Sequence, residues 1–171
     1  MRFISFRTLG TATALVLALA LLVPNGLSMA TSVGGKGSDS EEIASFAQRY
    51  AAAWSSQNPD SVASFYSEEG RLVVNDGEAA VGREAIAEVA RAFMQAFPDM
   101  VVTFDRLEPR GERMLFHWTL TGTNTGPGGT GASVSISGFE AWLMGDDGLI
   151  VDSAGSFDAE DYERQLTSGD K

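Results

Sequence analysis

Asp158 is the residue of this sequence whose position best suits acid–base chemistry. It follows the last strand-like run and begins the last helix-like run. Helices packed on a curved antiparallel sheet leave a cavity, and we expect that cavity near this position. A carboxylate that removes a proton next to a carbonyl group needs a raised pKa, which burial in an apolar pocket supplies. Aspartate is also among the best helix-capping residues, and capping alone explains Asp158 equally well.

Apolar walls and a hydrogen-bond donor would complete such a site. The aromatic residues expected to line the pocket are Trp54, Phe93 and Trp118. The candidate donors to a developing enolate oxygen are Tyr50, Asn75 and His117. Tyr50 and Trp54 lie on the apolar stripe of a predicted helix, so they are core residues first and ligand-binding residues only if their polar tips reach the pocket. A lone histidine in an amphipathic strand is more often a hydrogen-bonded structural group than a general base.

Glu140 is a second carboxylate that could enter the pocket. In the predicted strand at residues 132–144, apolar residues occupy even positions before Gly138 and odd positions after it, which predicts a β-bulge at Gly138. With the bulge, Glu140 would point inward near Asp158, and one of the two pKa values would rise. Without the bulge we expect Glu140 to face solvent, and this is the interpretation that we favour.

Helix-like patterns occupy the first part of the domain. Apolar residues at helical spacing predict a first helix from Ser40 to Trp54. Asn58-Pro59 is a cap followed by proline, which predicts a short second helix that ends at Glu69-Gly70. A third apolar stripe predicts a helix over residues 83–96.

Strand-like patterns dominate the second part. A short strand is predicted at residues 71–74, followed by the turn Asn75-Asp76-Gly77. The longer strands are predicted at residues 100–107, 114–123, 132–144 and 149–157, and a last helix at residues 158–166. This order of elements predicts an α+β fold with one antiparallel sheet.

The N-terminus is predicted to be a signal peptide. Arg2 and Arg7 precede an apolar run at residues 9–23, and Ser28-Met29-Ala30 is a small-residue cleavage site, so residues 1–30 would be removed and the protein exported to the periplasm or the outside. The apolar run is shorter than the roughly 20 residues that a membrane-spanning helix needs, so a permanent anchor is the weaker interpretation. Residues 31–39 are predicted to be a flexible tether, residues 40–167 the domain and residues 168–171 a disordered tail.

Composition limits the partners. Removal of two arginines changes the formal charge from −11 to −13, which argues against nucleic acid or an anionic membrane as a partner. The chain has no cysteine and one histidine, which excludes disulfides and argues against a transition-metal site. We therefore expect no transition-metal site.

Four short stretches carry a family resemblance. They are GREAI at 82–86, FPD at 97–99, LTGTNTG at 120–126, and GLIVD at 148–152 leading to Asp158 and Gln165-Leu166. In order and spacing, over residues 40–166, they resemble the SnoaL-like polyketide cyclase branch of the nuclear transport factor 2-like superfamily. Where relatives tend to carry a His-Trp pair in the last strand, this sequence has Ser153-Ala154.

The resemblance implies a cone-shaped α+β fold in which a bent antiparallel sheet packs around three N-terminal helices. It also implies one deep apolar pocket, a dimer formed through the sheet, and an aspartate base at the position of Asp158 that works without metal or cofactor.

Three functional hypotheses follow. The first is an exported protein that binds a small apolar carbonyl compound, with Asp158 as the base of a cyclase or isomerase. The second is a ligand-binding module without turnover, in which Asp158 only caps its helix. The third is a homodimeric module whose sheet face recruits a partner protein.

Overall fold

The computed structural model describes residues 35–168. The predicted signal peptide, the start of the predicted tether and the end of the predicted tail lie outside the described residues. The first helix, α1 (Gly35–Ser55), begins before the predicted Ser40. The added turn precedes the apolar stripe, so the periodicity that predicts the helix gives no sign of it.

Local sequence signals explain the other helix boundaries. In α2 (Pro59–Ala63), Asn58 is the N-cap, and its Oδ1 accepts a hydrogen bond from the Asp60 N–H at 3.1 Å. The third helix, α3 (Arg83–Ala96), has the predicted bounds. The last helix is α4 (Ala159–Thr167).

The second helix ends earlier than predicted. The chain enters strand β1 (Tyr66–Val74) where the sequence pattern predicts helix up to Glu69-Gly70, so that prediction is wrong. Phe65 and Tyr66 fit the apolar spacing of either element, and pairing with the last strand decides between them. The Ile150 N–H donates to the Phe65 carbonyl at 2.9 Å, which holds this stretch in the sheet.

Six strands form one sheet. After β1 they are β2 (Ala80–Val81), β3 (Val101–Arg110), β4 (Arg113–Thr123), β5 (Ser133–Met144) and β6 (Ile150–Phe157). Their order across the sheet is β2-β1-β6-β5-β4-β3. The predicted α+β class, with three helices ahead of most of the sheet, is confirmed.

One strand pair makes the sheet mixed rather than purely antiparallel. Strands β1 and β6 run parallel, whereas the other neighbouring pairs run antiparallel. Strands β3 to β6 follow one another through short connections, which favour antiparallel pairing. Strands β1 and β6 are far apart in sequence, so no tight turn fixes their relative direction.

The predicted bulge at Gly138 is wrong. Strands β4 and β5 pair without a register shift, and even-numbered residues of β5 face the core throughout the strand. A Cβ atom at position 138 would lie 2.5 Å from the Ser156 carbonyl oxygen and 2.6 Å from Cζ2 of Trp118. Gly138 is therefore required because the Trp118 ring packs directly over it.

Aromatic side chains dominate the core between α1 and the sheet. Phe116 of β4 stacks on Trp142 of β5 with ring centroids 4.6 Å apart. Tyr50 of α1 meets Trp142 edge-on at 5.1 Å. These contacts fix α1 against the core face of the sheet. Among the described residues, no helix has the length and apolar character needed to cross a membrane.

Candidate ligand-binding cavity

An apolar cavity lies between the helices and the inner face of the sheet. Its volume is about 50 Å³. One water molecule needs at least ~10–15 Å³, so the cavity exceeds the space for a single water. Its aromatic walls are Trp54 of α1, Phe93 of α3, Phe116 and Trp118 of β4, and Phe157 of β6. Glu140 of β5 is the one carboxylate in its lining.

Glu140 is buried and anchored through one oxygen. Its Oε2 accepts hydrogen bonds from the Ser153 hydroxyl at 2.7 Å, the Tyr50 hydroxyl at 3.0 Å and Trp142 Nε1–H at 3.1 Å. The Tyr66 hydroxyl lies 3.3 Å from Oε2 and 2.8 Å from the Tyr50 hydroxyl. These four side chains come from α1, β1, β5 and β6, so the cluster around Glu140 ties the helix to three strands.

Proton counting separates the strong contacts from the weak one. Two tyrosine hydroxyls have two protons but three close contacts among themselves and Oε2. The shortest arrangement has Tyr66 donating to Tyr50 and Tyr50 donating to Glu140. Oε2 then accepts three hydrogen bonds, from Tyr50, Trp142 and Ser153. In the hydrogen bonds of residues 35–168, every bond to Glu140 ends on Oε2, and Oε1 receives none.

Burial and hydrogen bonding act on Glu140 in opposite directions. Burial disfavours the charged form and raises the pKa of Glu140, while the donors from Ser153, Trp142 and Tyr50 lower it; the net pKa is raised. Burial also raises the pKa of Tyr50 and Tyr66, and the nearby Glu140 charge raises both further. Both tyrosines are therefore neutral donors at ordinary pH.

Two residues that line the cavity have indole N–H groups without a hydrogen-bond partner. Across residues 35–168, the buried side-chain nitrogen and oxygen atoms without a partner are Trp54 Nε1 and Trp118 Nε1. These side chains belong to residues only 8% and 9% exposed, and both line the cavity. The Trp54 N–H acts on the Tyr50 hydroxyl and lowers the pKa of Tyr50, an effect smaller than those of burial and of Glu140. The geometry between the two groups is nevertheless not that of a hydrogen bond. Unsatisfied buried donors are rare, so this pair needs an explanation.

The structure brings four of the predicted pocket residues together. Trp54, Phe93, Trp118 and Glu140 line the cavity. Tyr50 lies one layer behind them and reaches the site through Glu140. The favoured interpretation of Glu140 as a solvent-facing residue is wrong, and so is the expectation that it needs a bulge to face inward. Without a bulge, positions 136 and 140 lie on the same face of β5, which is the core side, whereas a change of phase at Gly138 would have turned Glu140 away from the core.

The other three predicted residues lie outside the cavity lining. Asp158 is exposed, and its Oδ1 accepts the Asp161 N–H at 2.9 Å, which is N-cap geometry. His117 is on the opposite face of β4, where Nε2 lies 3.2 Å from Glu108 Oε2. Asn75 accepts the Phe157 N–H at 2.9 Å and so joins the ends of β1 and β6.

Apart from Tyr50, sequence reasoning misses the residues that hold Glu140. The apolar spacing places Tyr66 in a helix, and Ser153 stands out only as the place of an absent His-Trp pair. Trp142 sits two residues beyond Glu140 and therefore on the same strand face. If the alternation of β5 is taken as uninterrupted, the spacing Glu140-x-Trp142 predicts that Trp142 lies beside Glu140 on the core face.

A sequence comparison identifies the family. Residues 47–153 match the model of the SnoaL-like domain. The chain belongs to the SnoaL-like domain family. No curated protein sequence matches this chain significantly.

Solved structures of similar fold agree with this assignment. A protein named as a SnoaL-like polyketide cyclase, from a Jannaschia species, has a TM-score of 0.65 at 16% identity, and the match covers 75% of this chain and 93% of that protein. A protein of ketosteroid isomerase-like fold from Catenulispora acidiphila, in complex with trimethylamine, has a TM-score of 0.62 at 17% identity and covers 70% and 89%. TerC, co-crystallised with polyporic acid, has a TM-score of 0.60 at 16% identity and covers 74% and 98%. The nuclear transport factor 2-like architecture is confirmed, and at these identities the likeness extends to the fold alone.

Proposed function

We propose that this protein binds a small, mostly apolar molecule that carries a carbonyl oxygen. The observation that carries the proposal is the pair of unpartnered indole N–H groups, of Trp54 and Trp118, in residues that line an apolar cavity. A buried donor without a partner costs roughly 1–3 kcal/mol, and a ligand oxygen that accepts from either indole N–H would recover part of that cost. The aromatic walls would bury the rest of the ligand.

The cavity volume sets the size of the ligand. Pockets for drug-sized ligands have volumes of ~300–1,000 Å³, and this cavity is about 50 Å³. A small ketone or aldehyde suits this space, whereas a polycyclic molecule would require the walls to move. The similar structures named as a polyketide cyclase and as a polyporic acid complex support ligand binding inside this fold.

In this proposal Asp158 caps α4 and is not a base. Its carboxylate is exposed and accepts a backbone N–H of its own helix. This placement supports the second of the three hypotheses, a ligand-binding module, over an enzyme whose base is Asp158.

A small amine cation is the second candidate ligand. Five aromatic side chains and one buried carboxylate line the cavity, and aromatic rings around a carboxylate suit a methylated ammonium group. The similar structure in complex with trimethylamine supports this candidate. The indole N–H groups favour the carbonyl compound, because a cation accepts no hydrogen bonds.

Indole resonances distinguish the two ligands. We expect cyclopentanone to shift the Trp54 and Trp118 indole N–H signals in ¹H–¹⁵N spectra, while the signal of Trp142, which donates to Glu140, changes little. Trp118→Phe keeps a ring but removes one donor, and it should weaken binding. His117→Gln, on the opposite sheet face, is the matched control and should bind as the wild type does. Saturable binding of trimethylamine without binding of cyclopentanone would replace the first candidate by the second.

Export and dimer formation stay predictions. N-terminal sequencing of the protein recovered outside the cytoplasm tests cleavage after Ala30. Light scattering of the purified protein tests whether it forms a homodimer.

A further inference from the structure

We infer that Glu140 acts as the acid–base group of the cavity and exchanges a proton, through Oε1, with the carbon next to the ligand's carbonyl group. The inference rests on the proposed function, because it requires a carbonyl compound in the cavity. It assigns chemistry to a residue of β5 rather than to the beginning of α4.

The first argument is the asymmetry of the Glu140 hydrogen bonds. A carboxylate held only for structural reasons gains most when donors reach both oxygens. Here Ser153, Trp142 and Tyr50 all donate to Oε2, and no donor in the described structure reaches Oε1. Because Glu140 lines the cavity, Oε1 is the polar atom that it offers to a ligand.

The second argument is the rigidity of the carboxylate. Donors from α1, β5 and β6 hold Oε2 at 2.7–3.1 Å, so the carboxylate plane cannot rotate without breaking several hydrogen bonds. A proton taken up by Glu140 would then reside on Oε1, since Oε2 already accepts three donors. Fixed geometry of this kind is what a general base needs.

The third argument is that two residues lining the same small space, Trp54 and Trp118, have indole N–H groups without a partner. Removal of the proton breaks the C–H bond, and its electron pair forms a carbon–carbon double bond while the carbonyl π electrons move to oxygen. The proton goes to Oε1, and the resulting enolate oxygen accepts from Trp54 or Trp118 Nε1–H. Exchange of the Oε1 proton with water, followed by return of the solvent-derived proton from Oε1 to carbon, completes the exchange, so no oxidant, reductant or cofactor is consumed.

Few titratable groups face Glu140. Tyr50 faces it from α1 and Tyr66 from β1, and burial raises the pKa of both. The remaining contacts, Ser153 of β6 and Trp142 of β5, do not titrate in the usual range. A pH dependence of proton exchange between weakly acidic and neutral pH therefore reports Glu140.

Deuterium exchange into cyclopentanone tests the inference. The full-length protein is incubated with cyclopentanone in D₂O, and loss of the α-proton signal is followed by ¹H NMR. We expect the exchange rate to be proportional to protein concentration, to rise with pH as Glu140 ionises, and to fall about 100-fold or more in Glu140→Gln. Asp158→Asn is the control, and its exchange rate should match that of the wild type.

The outcomes separate this inference from the proposed function. Cyclopentanone that shifts the indole signals of wild type but exchanges no α-protons overturns the inference and leaves the proposed function standing. Equal exchange by folded wild type and Glu140→Gln also overturns it. Absence of binding by the wild type overturns both. If Glu140→Gln fails to fold, Glu140→Asp replaces it, because the shorter side chain withdraws the carboxylate by one methylene group. Glu140→Asp should still bind cyclopentanone, while its exchange rate falls about 10-fold or more. An unchanged exchange rate refutes the acid–base role of Glu140.

Discussion

Replacement of Glu140 by glutamine should change how the stability of this protein depends on pH. The amide oxygen of the introduced glutamine can accept from Ser153, Trp142 and Tyr50 as Oε2 does, while its amide nitrogen takes the place of Oε1. The substitution therefore keeps the shape and the hydrogen-bond network and removes only the ionisation. Any pH-dependent difference in the free energy of unfolding between the two proteins belongs to Glu140.

The sign and the size of the difference follow from proton linkage. Burial raises the pKa of Glu140 in the folded protein above its usual 4.5. As the pH rises through 4.5, the unfolded chain loses this proton first, so the folded protein holds more protons and loses stability. The loss amounts to at most about 1.4 kcal/mol per pH unit and stops once the pH exceeds the folded-state pKa. The free energy of unfolding of Glu140→Gln relative to wild type should therefore increase with pH over that interval.

Urea unfolding followed by tryptophan fluorescence provides the measurement, because Trp54, Trp118 and Trp142 are all buried. Both proteins are unfolded at pH 5 to 8.5, above the sequence pI of about 4.4. Subtracting the two free energies of unfolding cancels the contribution of other titratable groups. Glu108 is one of these, and hydrogen bonds from Arg106 and Arg110 lower its pKa to about 2. Glu112→Gln, at an exposed turn, is the control and should track the wild type. A difference that stays flat or decreases with pH would refute the account of Glu140 as a desolvated carboxyl group.

Three further substitutions test separate parts of the structure. Asp158→Ala removes the α4 cap, so it should lower the free energy of unfolding, measured by urea unfolding, by about 1 kcal/mol and leave ligand binding unchanged. A loss of binding without a loss of stability would show that Asp158 belongs to the binding site. Gly138→Ala should destabilise by roughly 1–3 kcal/mol, because the new Cβ would overlap the Ser156 carbonyl and the Trp118 ring, and an unchanged melting temperature would contradict this packing. Asp152→Asn breaks two ion pairs of partly exposed side chains and should cost less than about 1 kcal/mol; a cost that persists in about 1 M salt would count against a purely electrostatic effect.

Patterns contained within one element are predictable from the sequence. The apolar stripe of α3 indicates its bounds, and alternation along β4 assigns Phe116, Trp118 and Leu120 to the core face. Asn58 and Asp158 are recognisable as caps, because capping involves only neighbouring backbone groups. These local predictions hold in the folded protein, since tertiary contacts do not favour a different structure at these residues.

Strand β5 shows where local patterns fail. After Gly138 both faces of the strand carry large apolar residues, so alternation alone does not say whether Glu140 or Phe139 faces inward. Pairing with β4 fixes the register, and the register places Glu140 with Trp142 on the core side. Tyr66 is a similar case, because pairing with β6 holds it in a strand.

The sequence by itself predicts the order of the elements and the apolar face of each one, because helical and strand periodicity are properties of consecutive residues. It also shows which aromatic residues could enclose a ligand. Which carboxylate is buried in the cavity depends instead on the folded arrangement. Asp158 satisfies a backbone donor of its own helix and stays in solvent. Glu140 is desolvated because α1, β1 and β6 close over it. Tyr50 of α1 and Ser153 of β6 supply donors that make its burial tolerable, and these partners come from parts of the chain too distant for any local pattern to connect.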